Sequence, residues 1–347
     1  MSGNGAAGGE RRPGRSADEA GPAAWSMAQP DPERRLPVNL DHVRRRIGGW
    51  RPRGTFPWTA PTRPGGVPWG PVEHELGVHY DTAWARRYPA RLGRVIVTET
   101  MTRPLAHAVA SPTVDGTDRL AHLDEPVIFA ANHASHIDTP LLLSVLPERW
   151  RHRTVVAAGA DYFFDRRWKA VFFAFTINAI PIERLRVNRA SANLAAELLT
   201  EGWSLLIFPE GGRTPDGWGQ HHRAGAAWLA VRTGRAVVPV HVEGTRRILP
   251  RGGGTLRPGT THVTFGRPLR PVEGEDARDL GVRIERAVEV LADEQVSDWW
   301  TANRRAAAGT TPALTGPSAP AWRRRWLLTA ADARRRSTSD DGTWPPD

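Results

Sequence analysis

The chain has 347 residues, 40 % of them hydrophobic and none of them cysteine. That length permits one large domain or two ordinary ones with a sizeable core, and the missing cysteines exclude disulfides and thiolate metal sites. The formal charge is +10, yet Lys169 is the only lysine among 47 basic residues. Arginine with abundant Ala, Gly and Pro is the mark of a GC-rich coding sequence, so charge alone is weak grounds for an anionic partner.

Residues 1–80 are rich in Gly, Pro and Arg with little periodicity. They read as a largely disordered N-terminal extension. The opening stretch, MSGNGAAGGERRPGRSADEAGPAAW, has no apolar core region, so no secretory signal is expected. No uninterrupted apolar run reaches about 18 residues, so no transmembrane helix is expected either. The expectation is a cytoplasmic protein, one able to lie on a membrane surface.

Past this region apolar runs of strand length alternate with helix-like segments. The first helix is expected over 84–109, with Pro104 breaking or kinking it. Strands at 126–131, 154–158, 179–182, 204–208, 236–242 and 262–265 then alternate with helices at 139–147, 165–176, 188–201, 222–233 and 276–296. Alternation of this kind predicts an α/β layered domain over 85–297. Pro239, inside the strand at 236–242, points to an edge strand or a bulge. From 298 to 347 the chain reads as a disordered basic tail. Neither GxxxxGK nor GxSxG occurs, so a phosphate-binding P-loop and the common serine-hydrolase elbow are absent.

The chemistry concentrates at strand ends. ANHASHIDTP, residues 131–140, follows the apolar run Val127-Ile128-Phe129-Ala130. His133 and Asp138 would lie on different faces of one continuous helix. At a strand-to-helix turn the carboxylate can instead meet the ring, leaving the second ring nitrogen free to take a proton. Two other readings of the same residues stand beside this one. Ser135 can be an N-cap with Asp138 as its capping-box partner, or His133, His136 and Asp138 can be the ligands of a metal-dependent hydrolase. A second cluster, LLIFPEGGRTPDG at 205–217, places Glu210, Gly211 and Arg213 in a Gly-rich loop after another strand. Glycines let backbone amides approach an anion closely, and arginine supplies a bidentate donor; an ordinary turn with a solvated ion pair is the alternative. NAIPIER, 178–184, sets Arg184 past a third strand end.

Together these blocks resemble the glycerolipid acyltransferase family, typified by the bacterial 1-acyl-glycerol-3-phosphate acyltransferase. Its N-H-x-x-x-x-D motif is met by Asn132, His133 and Asp138. Its G-x-x-x-x-x-R block is met by Arg184 alone, with Asn178 at the glycine position. Its F-P-E-G-T-R-S block is met by Phe208, Pro209, Glu210, Gly211 and Arg213, with Gly212 and Thr214 at the threonine and serine positions. Its V-P-V block is met by Val238, Pro239 and Val240. The resemblance covers about 125–270, and the departures at 178 and 212 fall in blocks that contact the acceptor.

The resemblance implies a layered α/β domain of the glycerol-3-phosphate acyltransferase type, with a central mixed, mostly parallel sheet flanked by helices. It implies an O-acyltransferase moving a fatty acyl group from acyl-coenzyme A or acyl carrier protein to the hydroxyl of a lysophospholipid such as 1-acyl-glycerol-3-phosphate. The product would be phosphatidic acid. His133 would be the general base and Asp138 its orienting partner. No acyl-enzyme forms in that scheme, which fits the absence of cysteine and of a GxSxG serine. Arg184 and Arg213 would hold the acceptor, with Glu210 and Gly211 shaping the loop; neither a metal nor a bound cofactor is implied. Residues 162–176, YFFDRRWKAVFFAFT, mix aromatic and basic side chains as an interfacial segment does, and a core helix is the other reading. Peripheral association with the cytoplasmic face of the membrane follows. The arginines are dispersed and no recognised nucleic-acid motif occurs, so no nucleic-acid partner is expected.

Overall fold

Strand β2 (Ile128–Ala131) is apolar at every position because both of its faces are covered. Ile128 and Ala130 point to one side of the sheet, Phe129 and Ala131 to the other, and all four are buried. The computed structural model describes residues 76–184, 189–250 and 255–328; the expectation for residues 1–75 lies outside them.

Six further strands complete one sheet: β1 (Pro112–Asp115), β3 (Thr154–Gly159), β4 (Ala179–Ile182), β5 (Ser204–Ile207), β6 (Val237–Glu243) and β7 (Thr261–Phe265). Their order is β1-β7-β6-β2-β5-β3-β4, and every pairing is parallel except β6 with β7. The sheet is therefore mixed and mostly parallel, as expected.

Helices cover both faces. One core joins Phe129, Val238, Val240 and Phe265 to α3 (Asp138–Val145), which packs beside α2 (Arg103–Ala110). The other joins Ile128, Val155 and Leu205 to α5 (Arg189–Thr200), α6 (Gly225–Thr233) and α7 (Ala277–Val296). Helix α4 (Arg167–Ile177) packs on α1 (Tyr88–Val97), where the Phe175 ring approaches Gly93 closely.

The helix expected at 84–109 begins at Tyr88, after a separate 3-10 turn at Ala83–Arg86, and runs on through Pro104. A π-helical turn, Thr98–Thr102, joins α1 to α2, and Pro104 falls in the first turn of α2. A wide turn there leaves room for the ring that an unbroken α-helix would not.

Pro239 corrects the edge-strand half of its expectation, since β6 is an interior strand flanked by β2 and β7, while the bulge half fits: pairing with Val237 resumes at Leu269, one residue out of the register of Val240 with Phe265. The Pro239 carbonyl accepts the Gly266 N–H at 2.8 Å, just past the end of β7. The proline nitrogen points the same way as that carbonyl, so its missing donor falls in the irregular stretch before Val237 and Leu269 pair again.

The tail from 298 is not disordered over its described part. Helix α8 (Trp299–Ala308) is capped by Asp298, whose carboxylate accepts the Thr301 N–H at 2.9 Å. A second helix runs over 321–328. No helix among the described residues is long and apolar enough to cross a membrane.

Candidate active site

Five strands, β2 to β6, run parallel, so their C-terminal ends share one edge of the sheet. His133, Arg184 and Glu210 follow β2, β4 and β5 and meet at that edge, where parallel sheets bind ligands. Asn132 fixes the exit of β2. Its side chain donates to the Val242 carbonyl at 2.9 Å and accepts the Val242 N–H at 2.7 Å, tying the turn to β6.

His133 Nδ1 lies 2.9 Å from Asp138 Oδ2. The same oxygen accepts the backbone N–H groups of Ala134 at 2.7 Å and Ser135 at 2.8 Å. The dyad geometry is present, but the capping reading is not: Ile137, not Ser135, is the N-cap of α3, and the Ser135 hydroxyl donates to the Leu249 carbonyl at 2.7 Å. Asp138 is fully buried, and the turn that brings it onto the Ala134 and Ser135 amides also delivers it to the histidine. A carboxylate on Nδ1 holds the proton there and leaves Nε2 as the basic nitrogen. The His133 ring stacks on Phe208, with centroids 4.0 Å apart.

Glu210 is 3 % exposed; its Oε1 accepts the His133 N–H at 2.8 Å and its Oε2 the Gln220 N–H at 2.9 Å. Burial raises its pKa to about 7, against the opposing pull of those two donors. Thr214 N–H also donates to the His133 carbonyl at 3.0 Å, so the Gly-rich loop and the turn after β2 are stitched together.

Gly211 has φ of +75°, and a Cβ there would meet Arg223 Nε at 2.7 Å. The positive φ selects glycine, and the Arg223 side chain would have to shift to admit a Cβ. Gly212 faces open space, so the missing threonine of the family pattern is not a steric necessity. Asn178 has a local structural role. It occupies the left-handed position that ends α4, at φ 54°, and its amide donates to the Thr154 carbonyl at 3.0 Å. Asparagine tolerates this conformation better than other residues with a side chain, and position 178 lies at the opposite end of β4 from Arg184.

A cavity of about 580 Å³ opens beside the dyad. His133, His136 and Phe208 line one side; Met101, Tyr162 and Phe172 line its apolar reach. Arg184 lines it too, with its fork on the Asp161 carboxylate at 3.1 and 2.6 Å. Arg223 is a lining residue that sequence reasoning passed over. It donates through Nη1 to the Arg184 carbonyl, and its backbone N–H bonds the Pro209 carbonyl at 2.9 Å. It stands between a His-His pair and a helix, in none of the motifs, and only its proximity to β5 in space reveals it. Arg213 does not line the cavity. Its charge bears on His136, whose pKa falls to about 4 through burial first and Arg213 second.

The metal reading is not assembled. His136 stacks on Tyr162, with centroids 5.6 Å apart, and Asp138 spends its outer oxygen on His133 and two amides. No cluster of three His, Asp or Glu among the described residues is arranged to hold a metal ion.

Residues 111–243 match the acyltransferase family model. The chloroplastic 1-acyl-sn-glycerol-3-phosphate acyltransferase of Arabidopsis thaliana is 30 % identical over 167 residues, 45 % of this chain and 43 % of that one. The 1-acyl-sn-glycerol-3-phosphate acyltransferase of Pseudomonas aeruginosa is 36 % identical over 115 residues, 32 % of this chain and 44 % of that one. In both cases this chain spans less than half of the relative's length. Among solved structures, the 1-acyl-sn-glycerophosphate acyltransferase PlsC of Thermotoga maritima aligns with a TM-score of 0.47 and 24 % identity, covering 59 % of this chain and 83 % of that one. Over residues 111–243 the chain is thus similar to the acyltransferase family, and the relatives it resembles there are 1-acyl-sn-glycerol-3-phosphate acyltransferases.

Proposed function

We propose that the protein transfers a fatty acyl group from a thioester donor to the free hydroxyl of a lysophospholipid, with 1-acyl-glycerol-3-phosphate as the acceptor class. The observation that carries this is the His133–Asp138 pair, 2.9 Å apart, on the wall of an apolar cavity that also holds two arginines. His133 Nε2 takes the proton of the acceptor hydroxyl as its oxygen attacks the thioester carbonyl. The new C–O bond forms, the C–S bond breaks, and the departing thiolate takes the proton back from the imidazolium. Asp138 orients the ring and supports its transient charge. The apolar reach of the cavity suits an acyl chain, and Arg184 and Arg223 suit a phosphate at its polar end.

The acceptor reaches the site from a membrane surface on this reading. Met101 and Phe172 line the cavity and are also 58 and 53 % exposed, so its mouth opens onto apolar surface. Leu92, Ile96 and Leu105 on α1 and α2 and Trp168 on α4 extend that surface. Peripheral association at the cytoplasmic face, where coenzyme A and acyl carrier protein thioesters occur, fits it. Purified protein assayed with labelled acyl-coenzyme A and acyl carrier protein thioester against a panel of lysophospholipids tests the proposal. Transfer to 1-acyl-glycerol-3-phosphate is expected; thioester hydrolysis without transfer to any lysophospholipid would refute it.

A further inference from the structure

Helix 321–328, AWRRRWLL, lies outside the family domain and has two dissimilar faces. Arg324, Leu327 and Leu328, spaced i, i+3, i+4, are half-buried. Arg324 Nε binds Asp216 Oδ2 at 2.7 Å, and the Arg324 carbonyl accepts the indole N–H of Trp218 at 3.1 Å. Leu328 lies against Gly217. The approach to this helix is fixed as well, since Gly316 packs on the Trp218 ring and the Leu314 carbonyl accepts the Gly219 N–H at 2.9 Å. Anchored in this way, the helix holds its opposite face outward. Trp322 and Trp326, one turn apart, are 72 and 62 % exposed, with exposed Arg323 and Arg325 around them.

A pair of large indoles held in water on a fixed scaffold is costly unless something covers them. Indole beside guanidinium is the chemistry of the bilayer interface, where the ring sits at headgroup depth and the cation meets anionic lipid. The charge complement decides between occupants, because arginines interleaved with the tryptophans match an anionic lipid surface. We propose that helix 321–328 is a lipid-surface contact, separate from the apolar surface around α4, that rests on membranes containing anionic phospholipid. It stands on the loop 216–219, which leads directly to Gln220, the residue whose N–H holds Glu210. Seating this helix on lipid therefore steadies the loop beside His133.

The test uses the full chain and vesicles of equal parts phosphatidylglycerol and phosphatidylcholine, with binding read by co-sedimentation. Interfacial burial of two indoles predicts that the double variant Trp322→Ala, Trp326→Ala lowers partitioning at least about tenfold. The separate double variant Trp168→Ala, Phe172→Ala also loses binding if the surface proposed around α4 touches lipid, and the two losses combine. Arg323→Glu should weaken binding to the anionic vesicles and leave binding to pure phosphatidylcholine unchanged. Because binding is read without turnover, its outcome is independent of whether the acyl-transfer reading holds. Unchanged partitioning of the Trp322, Trp326 variant would overturn the proposal. So would a shift in that variant's oligomeric state without lipid, which would make the face a contact between copies. An equal loss of binding to anionic and neutral vesicles on Arg323→Glu would overturn the anionic preference.

Discussion

Glu210 holds the backbone N–H of His133 at 2.8 Å, so the turn after β2 that carries His133 and the Gly-rich loop after β5 are tied together by one buried carboxyl. That carboxyl has a raised pKa of about 7, chiefly through burial. The folded protein binds its proton more tightly than the unfolded chain does, so stability falls as pH rises through the window from about 4.5 to about 7. The shift corresponds to roughly 3 kcal/mol at neutral pH. Glu210→Gln should flatten this fall, and thermal melts from pH 5 to 8 check it. Parallel curves for the two proteins would show that Glu210 does not titrate in this range.

Asp138→Asn should lower kcat strongly and also lower the melting temperature. One oxygen of Asp138 serves the His133 ring and two amides at 2.7–2.9 Å. An amide in its place can turn its oxygen to the backbone N–H groups or to the ring, but it carries no charge to support the imidazolium. Kinetics with a melting curve on the same preparation separate the two effects. Unchanged kcat with a lower melting temperature would leave Asp138 as a brace of the turn at Ala134 and Ser135 only.

Arg223→Ala should raise KM for a phosphate-bearing acceptor by about tenfold or more, with a smaller effect on donor KM. Arg184→Ala should do less, because Asp161 already occupies its fork. Arg213→Ala should do least, because Arg213 does not line the cavity. Steady-state constants for both substrates check this order. A dominant effect at Arg213 would mean that the acceptor approaches from the other side of the loop.

His136 is held neutral, with its pKa lowered to about 4 by burial and by Arg213. The unfolded chain takes up a proton near pH 6.5 that the fold resists, so stability contributed by neutral His136 is lost as pH falls from about 6.5 toward about 4. His136→Gln should reduce that acid sensitivity while kcat at neutral pH changes little. Titration of the imidazole by NMR in the folded protein gives the pKa directly, and a value near 6.5 would contradict the account.

Much of this was legible from periodicity and motif. Six of the seven strands lie where the sequence places them, because strands covered on both faces are mostly apolar; β7, THVTF, is the least apolar of the six and pairs antiparallel with β6. Strand β1 escaped notice since PTVD offers a proline, a threonine and an aspartate around one apolar residue, and it pairs only with β7 at the sheet edge. Helix α8 was hidden by an Ala- and Arg-rich composition; its signal was the cap at Asp298 rather than an apolar stripe. His133 and Asp138 stand out in sequence because a single turn carries both. Arg223 does not, because it reaches Gly211 and Arg184 only after β5, β4 and the approach to α6 are brought together in space.

The most direct test of the account is the turnover of His133→Ala. The variant keeps Asp138 on the Ala134 and Ser135 amides, so it should fold with a near-normal melting curve. Loss of the general base should lower kcat for acyl transfer by about 10²–10⁴. Near-normal turnover in folded His133→Ala would contradict the dyad mechanism outright.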